Sequence, residues 1–170
     1  MQTITLNKIS DQASAIRDWC RQYAAGLGGT ASVVSNLQDL WKQAYQNSQR
    51  PLILICYNGE NARGSFEFSN AFSRVDRNWL VLIKEGRGYL AERGDKLTET
   101  TSVSPFYDQV EGLRDWLRRL LNVSAELPTI DYKGISPVSQ GDQVIDAYVI
   151  SFSTANDIPQ ILTSPDNSPT

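Results

Sequence analysis

Three carboxylates, Asp108, Glu111 and Asp115, have the spacing in this chain that is best suited to chemistry. Separations of three and four residues place them on one face of a helix. Such a face could bind Mg²⁺ or provide a general acid and a general base. The same pattern is typical of the solvated face of an amphipathic helix, and the dipole of a first helical turn favours an acid at Asp108. We therefore predict a solvated face, and the alternative from another class is a carboxylate- and Mg²⁺-dependent small hydrolase.

No histidine occurs among the 170 residues. Its absence excludes Ser-His-Asp and Cys-His nucleophiles, the zinc-protease helix and most catalytic zinc sites. Cys20 and Cys56 are too few for a zinc ribbon and too far apart for a redox pair. Each lies in an apolar stretch, which predicts a free, buried thiol. We predict that the protein is not an enzyme and has no catalytic residue, no metal ligand and no cofactor.

The composition is that of one globular domain. Hydrophobic residues make up 41% of the chain and charged residues 21%, which supplies both a core and a solvated surface. The net charge of -3 gives no general attraction to nucleic acid or to an anionic membrane. No stretch approaches the roughly 18 apolar residues of a membrane-spanning helix, and the first residues lack the layout of a secretion signal. We predict a cytoplasmic origin, no membrane partner and no sequence-specific binding of nucleic acid.

Charge is unevenly distributed along the chain. Residues 1–49 carry a net charge of +1, residues 50–96 of +2 and residues 97–170 of -6. A basic middle and an acidic C-terminal third favour head-to-tail contact between copies of the chain. The alternative is that these charges lie on ordinary solvated faces.

The basic middle has dense clusters of charge at both ends of a strand predicted at 77–84. Five charged residues lead into or out of this strand: Arg74, Asp76, Arg77, Lys84 and Arg87. Side chains at the two ends of a strand lie on opposite rims of a small domain, where they could contact neighbouring copies. We predict these five as interface residues. Ordinary loop charge is one alternative. Salt-sensitive binding of nucleic acid through Arg63, Arg74, Arg77 and Arg87 is another.

Hydrophobic periodicity predicts seven elements in an α+β order. Apolar residues recur at steps of three and four in the helices, and uninterrupted apolar runs indicate strands buried on both faces. The helices are predicted at 11–27, 35–47 and 105–122, and the strands at 52–57, 77–84, 130–135 and 143–153. Gly26, Gly28 and Gly29 end the first helix. We predict helices packed on one face of a mainly antiparallel sheet, in a single domain over 1–156 with a flexible tail over 157–170.

The order of several segments along the chain is distinctive. The strand at 52–57 precedes an arginine-containing segment that leads into a second hydrophobic strand, residues 74–83. The helix that begins Pro105-Phe106-Tyr107-Asp108 follows, then Tyr132-Lys133-Gly134 and a last alternating strand at 147–152. This layout, over roughly residues 11–155, resembles that of phage tail terminator and tail-completion proteins, a family of minor tail proteins.

The resemblance implies a homo-oligomeric structural protein. In that family a hexameric ring caps the tail tube, stops its elongation and joins it to the head. Its partners would be other copies of itself, the tail tube protein and the head-tail connector protein. The resemblance also implies synthesis in the bacterial cytoplasm and a place in the virion tail or a phage-like particle. Such a ring has no cofactor and performs no bond chemistry. A head-completion or baseplate adaptor protein is the alternative that is closest in role.

Overall fold

The computed structural model describes residues 8–46, 50–62, 72–86, 105–123, 130–140 and 143–159. Within these ranges the chain forms three helices and five strands. In chain order they are α1 (Ile9–Gly26), β1 (Thr30–Val34), α2 (Leu37–Tyr45), β2 (Leu52–Ala62), β3 (Phe72–Lys84), α3 (Pro105–Val123), β4 (Ile130–Gln140) and β5 (Gln143–Pro159).

The strands form one sheet in the order β1-β2-β3-β5-β4. β1 pairs with β2 in parallel, and the other three pairs are antiparallel. The predicted α+β class, a single domain with a mainly antiparallel sheet, is confirmed. The strand order leaves β1 and β4 at the two edges of the sheet.

Both faces of the sheet are apolar at its centre. Ile53 and Ile55 of β2 pack with α1 and α3 on what we call the two-helix face, whereas Leu54 and Cys56 pack with α2 on the opposite, α2 face. All four side chains are fully buried. The prediction that this strand is buried on both faces is confirmed. The predicted packing of helices on one face describes α1 and α3, and α2 lies on the other face because the second apolar side of the strands also requires cover.

β1 is not among the predicted strands, and the glycines that precede it explain its position. Gly28 has a φ of 71°. The N–H groups of Gly28 and Gly29 bond back to carbonyls of the last turn of α1 at 3.2 and 2.9 Å, which is a Schellman arrangement. A side chain at Gly29 would collide with the Pro51 carbonyl group. Glycine therefore lets the chain approach β2 closely enough for the Thr30 N–H to donate to the Pro51 oxygen at 3.1 Å.

β3, β4 and β5 all extend beyond their predicted bounds. β4 continues through Pro137 to Gln140, and β5 continues to Pro159, which pairs with Phe72 at the start of β3. Pro137 is tolerated because an edge strand needs N–H donors on one side only. Residues 157–159 belong to β5, so the predicted flexible tail begins too early there. Residues 160–170 lie outside the described residues.

Two indole rings join α1 to α3. Trp19 and Trp116 stack with ring centroids 4.5 Å apart and an interplanar angle of 18°. Trp19 Nε1 donates to the Trp116 carbonyl oxygen at 2.6 Å, and Trp116 Nε1 donates to the Trp19 carbonyl oxygen at 2.8 Å. The Tyr23 hydroxyl donates to the Gln109 carbonyl oxygen at 2.7 Å beside them. Trp116 therefore lies at a contact between two helices of the same chain.

Replacing Trp116 with phenylalanine should lower the free energy of unfolding by about 1–2 kcal/mol, because a stacked ring is retained while its donated hydrogen bond is lost. Urea unfolding followed by circular dichroism measures the change. Arg118→Ala on the exposed side of α3 is the control and should change stability by less than about 0.5 kcal/mol. Equal stabilities for wild type and Trp116→Phe would show that the hydrogen bond donated by Trp116 contributes nothing net.

Candidate functional site

The five charged residues predicted at an interface lie in or next to β3. Arg74, Asp76 and Arg77 belong to the strand itself rather than to a segment that leads into it, since β3 begins at Phe72. For Arg74 only the backbone is described, and Arg87 lies outside the described residues. Asp76 and Arg77 thus lie within the length of β3, where both neighbouring strands pair with them, whereas Arg74 lies two residues from the start of the strand.

Arg77 is directed into its own domain. It is 6% exposed, and its Nε donates to Glu60 Oε2 at 3.3 Å on the neighbouring strand. Arg77 and Glu60 are also register partners just beyond a bulge in β2. Burial raises the pKa of Tyr57, and the nearby Glu60 carboxylate raises it further by its charge and by a hydrogen bond. The arginine thus stabilises the β2–β3 pairing and offers little charge to a neighbouring copy.

Lys84 is also engaged within its own chain. It is 8% exposed, and its Nζ donates to the carbonyl oxygens of Ala44 and Gln46 at the end of α2. The last carbonyls of a helix have no partner within the helix and carry partial negative charge, so an ammonium group there satisfies and stabilises them. The residue predicted at an interface therefore caps α2 from the adjacent strand.

Replacing Lys84 with methionine, which keeps a similar unbranched length, should lower the free energy of unfolding by about 2 kcal/mol because charged hydrogen bonds to two carbonyls are lost. Thermal and urea unfolding measure this. The matched control is Lys42→Met, which removes an exposed lysine from the last turn of α2 and should cost less than about 0.5 kcal/mol. Equal losses for the two variants would contradict the capping role of Lys84.

The three carboxylates with helical spacing, Asp108, Glu111 and Asp115, lie on α3 and are all exposed. Arg114 Nε lies 3.1 Å from Asp115 Oδ1. The hydrogen bond to Asp115 is the main cause that raises the pKa of Arg114. Within the part of the chain that the structure describes, no group of three or more His, Cys, Asp or Glu residues could hold a metal ion. The arrangement is that of a solvated helix face with a local ion pair.

Both cysteines are free and buried, as predicted. Burial raises the pKa of Cys20 from its ordinary value of 9.0 to about 12. Burial also raises the pKa of Cys56, with a smaller contribution from the charge of Asp39. Because a thiolate is the reactive form, neither sulfur is activated as a nucleophile at neutral pH.

The free energy of unfolding should fall above pH 9 because of Cys20. Below pH 9 the folded and unfolded chains both hold the thiol proton. Between pH 9 and about 12 only the folded chain holds it, so stability declines by about 1.4 kcal/mol per pH unit. Urea unfolding of wild type and Cys20→Ala between pH 9 and 10.5 tests this, because the tyrosines are common to both proteins. Parallel pH slopes for the two proteins would refute it.

A chain of hydrogen bonds crosses the two-helix face where α1 begins. Trp79 Nε1 donates to Thr154 Oγ1 at 3.1 Å, and Thr154 Oγ1 donates to Gln12 Oε1 at 3.2 Å. Gln12, Trp79 and Thr154 are all completely buried. No sequence signal pointed to this network, since Gln12 and Thr154 are 142 residues apart. Its completely buried atoms are suited to specifying how α1 packs on the sheet.

The outer edge of β4 is poorly suited to pairing with another strand. Pro137 lacks an N–H group. The pairing of β4 with β5 is irregular between Tyr132 and Gly134 and again between Pro137 and Ser139. A lysine, Lys133, lies at the first irregularity and pairs with Asp131 at 2.5 Å. Proline, bulges and lysine are the features by which edge strands avoid association.

The outer edge of β1 has a different character. Its register with β2 is continuous over all five residues. Because the Thr30 N–H points to β2, alternation directs the backbone groups of Ala31 and Val33 outwards. Arg21 Nε donates to the outward Ala31 oxygen at 3.3 Å. Val33 is 40% exposed, so this regular edge also presents apolar surface.

Comparison with known proteins adds no family to this description. No family model matches the chain, and no curated protein matches it.

Across the described ranges, no helix has the length and apolar character needed to cross a membrane.

Proposed function

We propose that the protein is a structural subunit of a phage tail or phage-like particle, whose copies form a ring that caps the tail tube. The ring would stop elongation of the tube and offer a surface to the head connector. The observation that carries the proposal is the difference between the two edges of the sheet. The β1 edge is regular and partly apolar, whereas the β4 edge carries Pro137 and two irregularities.

A ring requires a head-to-tail contact, in which one surface of a subunit binds a different surface of the next. Two unlike edges give the domain this polarity. Two copies joined through one shared edge would instead form a closed dimer. The uneven charge of the sequence, +2 over residues 50–96 and -6 over 97–170, supports the same polarity.

The disposition of the chemically versatile side chains also supports a structural role. The acids at 108, 111 and 115 are exposed, and the described residues contain no group of three or more acids, cysteines or histidines that could hold a metal ion. Lys84 and Arg77 stabilise the fold through contacts within their own chain. The order of the sequence segments over roughly residues 11–155, which resembles that of tail terminators, also supports the proposal.

Deletion of the gene from its phage or phage-like element tests the proposal. Electron microscopy should show tails of uncontrolled length that carry no head. Supplying the wild-type gene in trans should restore normal particles, and a copy with an early stop codon is the matched control.

Four other results would redirect or end the proposal. Tails of normal length that lack heads would favour a head-completion protein, and missing baseplates would favour a baseplate adaptor. Normal tails with heads attached would contradict all of these roles. Loss of a Mg²⁺-dependent hydrolysis in Asp108→Asn and Glu111→Gln, with the fold intact, would establish the enzyme alternative instead.

A further inference from the structure

We infer that the subunits join by continuing the sheet: the β1 edge of one copy pairs with the outer side of residues 155–159 of β5 in the next copy. The inference rests on the proposed ring and names the surfaces that hold it together. It assigns to the open edge one occupant, a second copy of this chain.

The first surface is the β1 edge. Its five residues lie in regular register, and the backbone groups of Ala31 and Val33 point away from β2. Val33 is 40% exposed, whereas Ala31 is 5% exposed and its oxygen accepts from Arg21. Arg21 occupies only one of these groups, the Ala31 oxygen, and its side chain is 56% exposed. A carbonyl oxygen has two lone pairs, so it can accept from an incoming strand while Arg21 remains.

The second surface is the end of β5. β4 begins at Ile130, which pairs with Thr154, so β5 continues for five residues beyond the start of its neighbour. On the other side the same five residues pair with β3, from Phe72 to Asp76. Within the described residues, the outer side of this segment has no strand partner. Pairing with β3 nevertheless holds its backbone extended and ready to accept a strand.

The two surfaces match in length and direction. Each has five residues, which corresponds to about 17 Å of strand. β1 and β5 run in the same direction within one sheet, as their pairings through β2 and β3 require. Neighbouring copies in a head-to-tail ring share one orientation, so the new pair would be parallel, like the existing β1–β2 pair.

The remaining edge segments argue against other pairings. The core of β4 carries Pro137 and two irregularities, so β1 of the next copy cannot pair along it regularly. Because the proposed pair lies beyond the start of β4, each copy is displaced along the strand direction relative to the preceding copy in the ring. A closed ring accommodates this displacement by tilting its strands, as closed barrels do.

Proline at Val33 tests the β1 surface, because it removes an outward N–H and leaves the bonds of β1 to β2 intact. Purified Val33→Pro should keep a thermal stability near that of the wild type. In sedimentation velocity its self-association should be weaker by a factor of about ten or more. Val33→Thr keeps the N–H and the β-branched shape and is the matched control. Wild-type self-association in Val33→Pro would overturn the inference.

Cysteine cross-linking identifies the partner strand. In a parallel pair that matches the two five-residue segments end to end, Thr30 of β1 faces Ala155 of β5. Thr30 is exposed and Ala155 partly exposed, and both lie on the α2 face. Oxidation of a mixture of Thr30→Cys and Ala155→Cys proteins should give a cross-linked dimer, whereas neither variant should cross-link alone. Native Cys20 and Cys56 are buried and give little background.

The outcomes separate this inference from the proposed function. A separate Ser32→Cys variant carries its cysteine at the middle of β1, where two β1 strands paired with each other would bring it opposite its own copy. A cross-link in that variant alone would overturn the inference. Absence of the mixed cross-link while the wild type is oligomeric would do the same and leave the ring intact. Wild-type protein that stays monomeric at its highest soluble concentration would also overturn it. The phenotype of the deletion is measured independently in the phage.

Discussion

Replacing Arg77 with glutamate should lower the free energy of unfolding by about 3 kcal/mol, near the cost of leaving a buried charge without a partner. The Arg77 side chain is 7% exposed and its partner Glu60 is 38% exposed. The variant would place a second carboxylate opposite Glu60 on the paired strand. The new carboxylate, at position 77, would be the one shielded from water. Repulsion and desolvation therefore act together.

Two companion variants separate these causes. Arg77→Met retains much of the buried stem and leaves Glu60 partly hydrated, so it should cost about 1–2 kcal/mol. The exchanged pair Glu60→Arg with Arg77→Glu should recover part of the loss, because opposite charges again face each other across the strands. Urea unfolding of wild type, Arg77→Glu, Glu60→Arg and the exchanged pair measures the coupling between the two sites.

The expected result for Arg77 differs from the one that the sequence favours. As an exposed interface residue, Arg77 would tolerate glutamate with an unchanged melting temperature and weakened assembly. Its burial beside Glu60 predicts the opposite, a lower melting temperature. A variant with wild-type stability and weakened assembly would contradict the structural account.

Replacing Trp79 with alanine should lower the free energy of unfolding by about 4–5 kcal/mol, the largest loss expected for any single substitution considered. Trp79 is completely buried at the centre of the two-helix face. Its ring meets that of Tyr57 edge-on, with centroids 5.4 Å apart. Removal of the indole would leave a cavity and also strip Thr154 of its donor.

The hydrogen-bond chain can be separated from the packing of the ring. Trp79→Phe keeps much of the apolar volume and loses the Nε1 donor, so it should cost about 1–3 kcal/mol. Thr154→Val removes the hydroxyl between Trp79 and Gln12. If the three groups act as a chain, the double variant should cost less than the sum of the two single changes. Strict additivity would show that the bonds contribute independently.

Local patterns predicted the elements whose signals lie within one segment. The helix at 105–122 has an uninterrupted apolar stripe and a proline at its first position, and α3 spans Pro105–Val123. The apolar run at 52–57 predicts a strand buried on both faces, and residues 53–56 are fully buried there. In both cases the periodicity reports burial directly, because burial alternates with the geometry of the element.

β1 escaped prediction because its signal is not local. Thr30–Val34 is short and mixes polar and apolar residues. Its partner β2 follows only after α2, and a parallel pair requires such a crossover. The close approach at Gly29 depends on the position of Pro51. The candidate assembly edge therefore lies on the strand that sequence patterns describe least well.

The sequence alone determined the class of the fold, the two-sided burial of the central strands and the free state of the two thiols, because apolar periodicity and residue type act within short segments. The tertiary structure alone decided what the charged residues do. Arg77 finds Glu60 across 17 residues, and Lys84 finds the end of α2 across 38 and 40. The sequence pattern around a charged residue does not distinguish a side chain that faces water from one that faces a partner. Only the register of the strands and the placement of the helices determine which groups lie next to it.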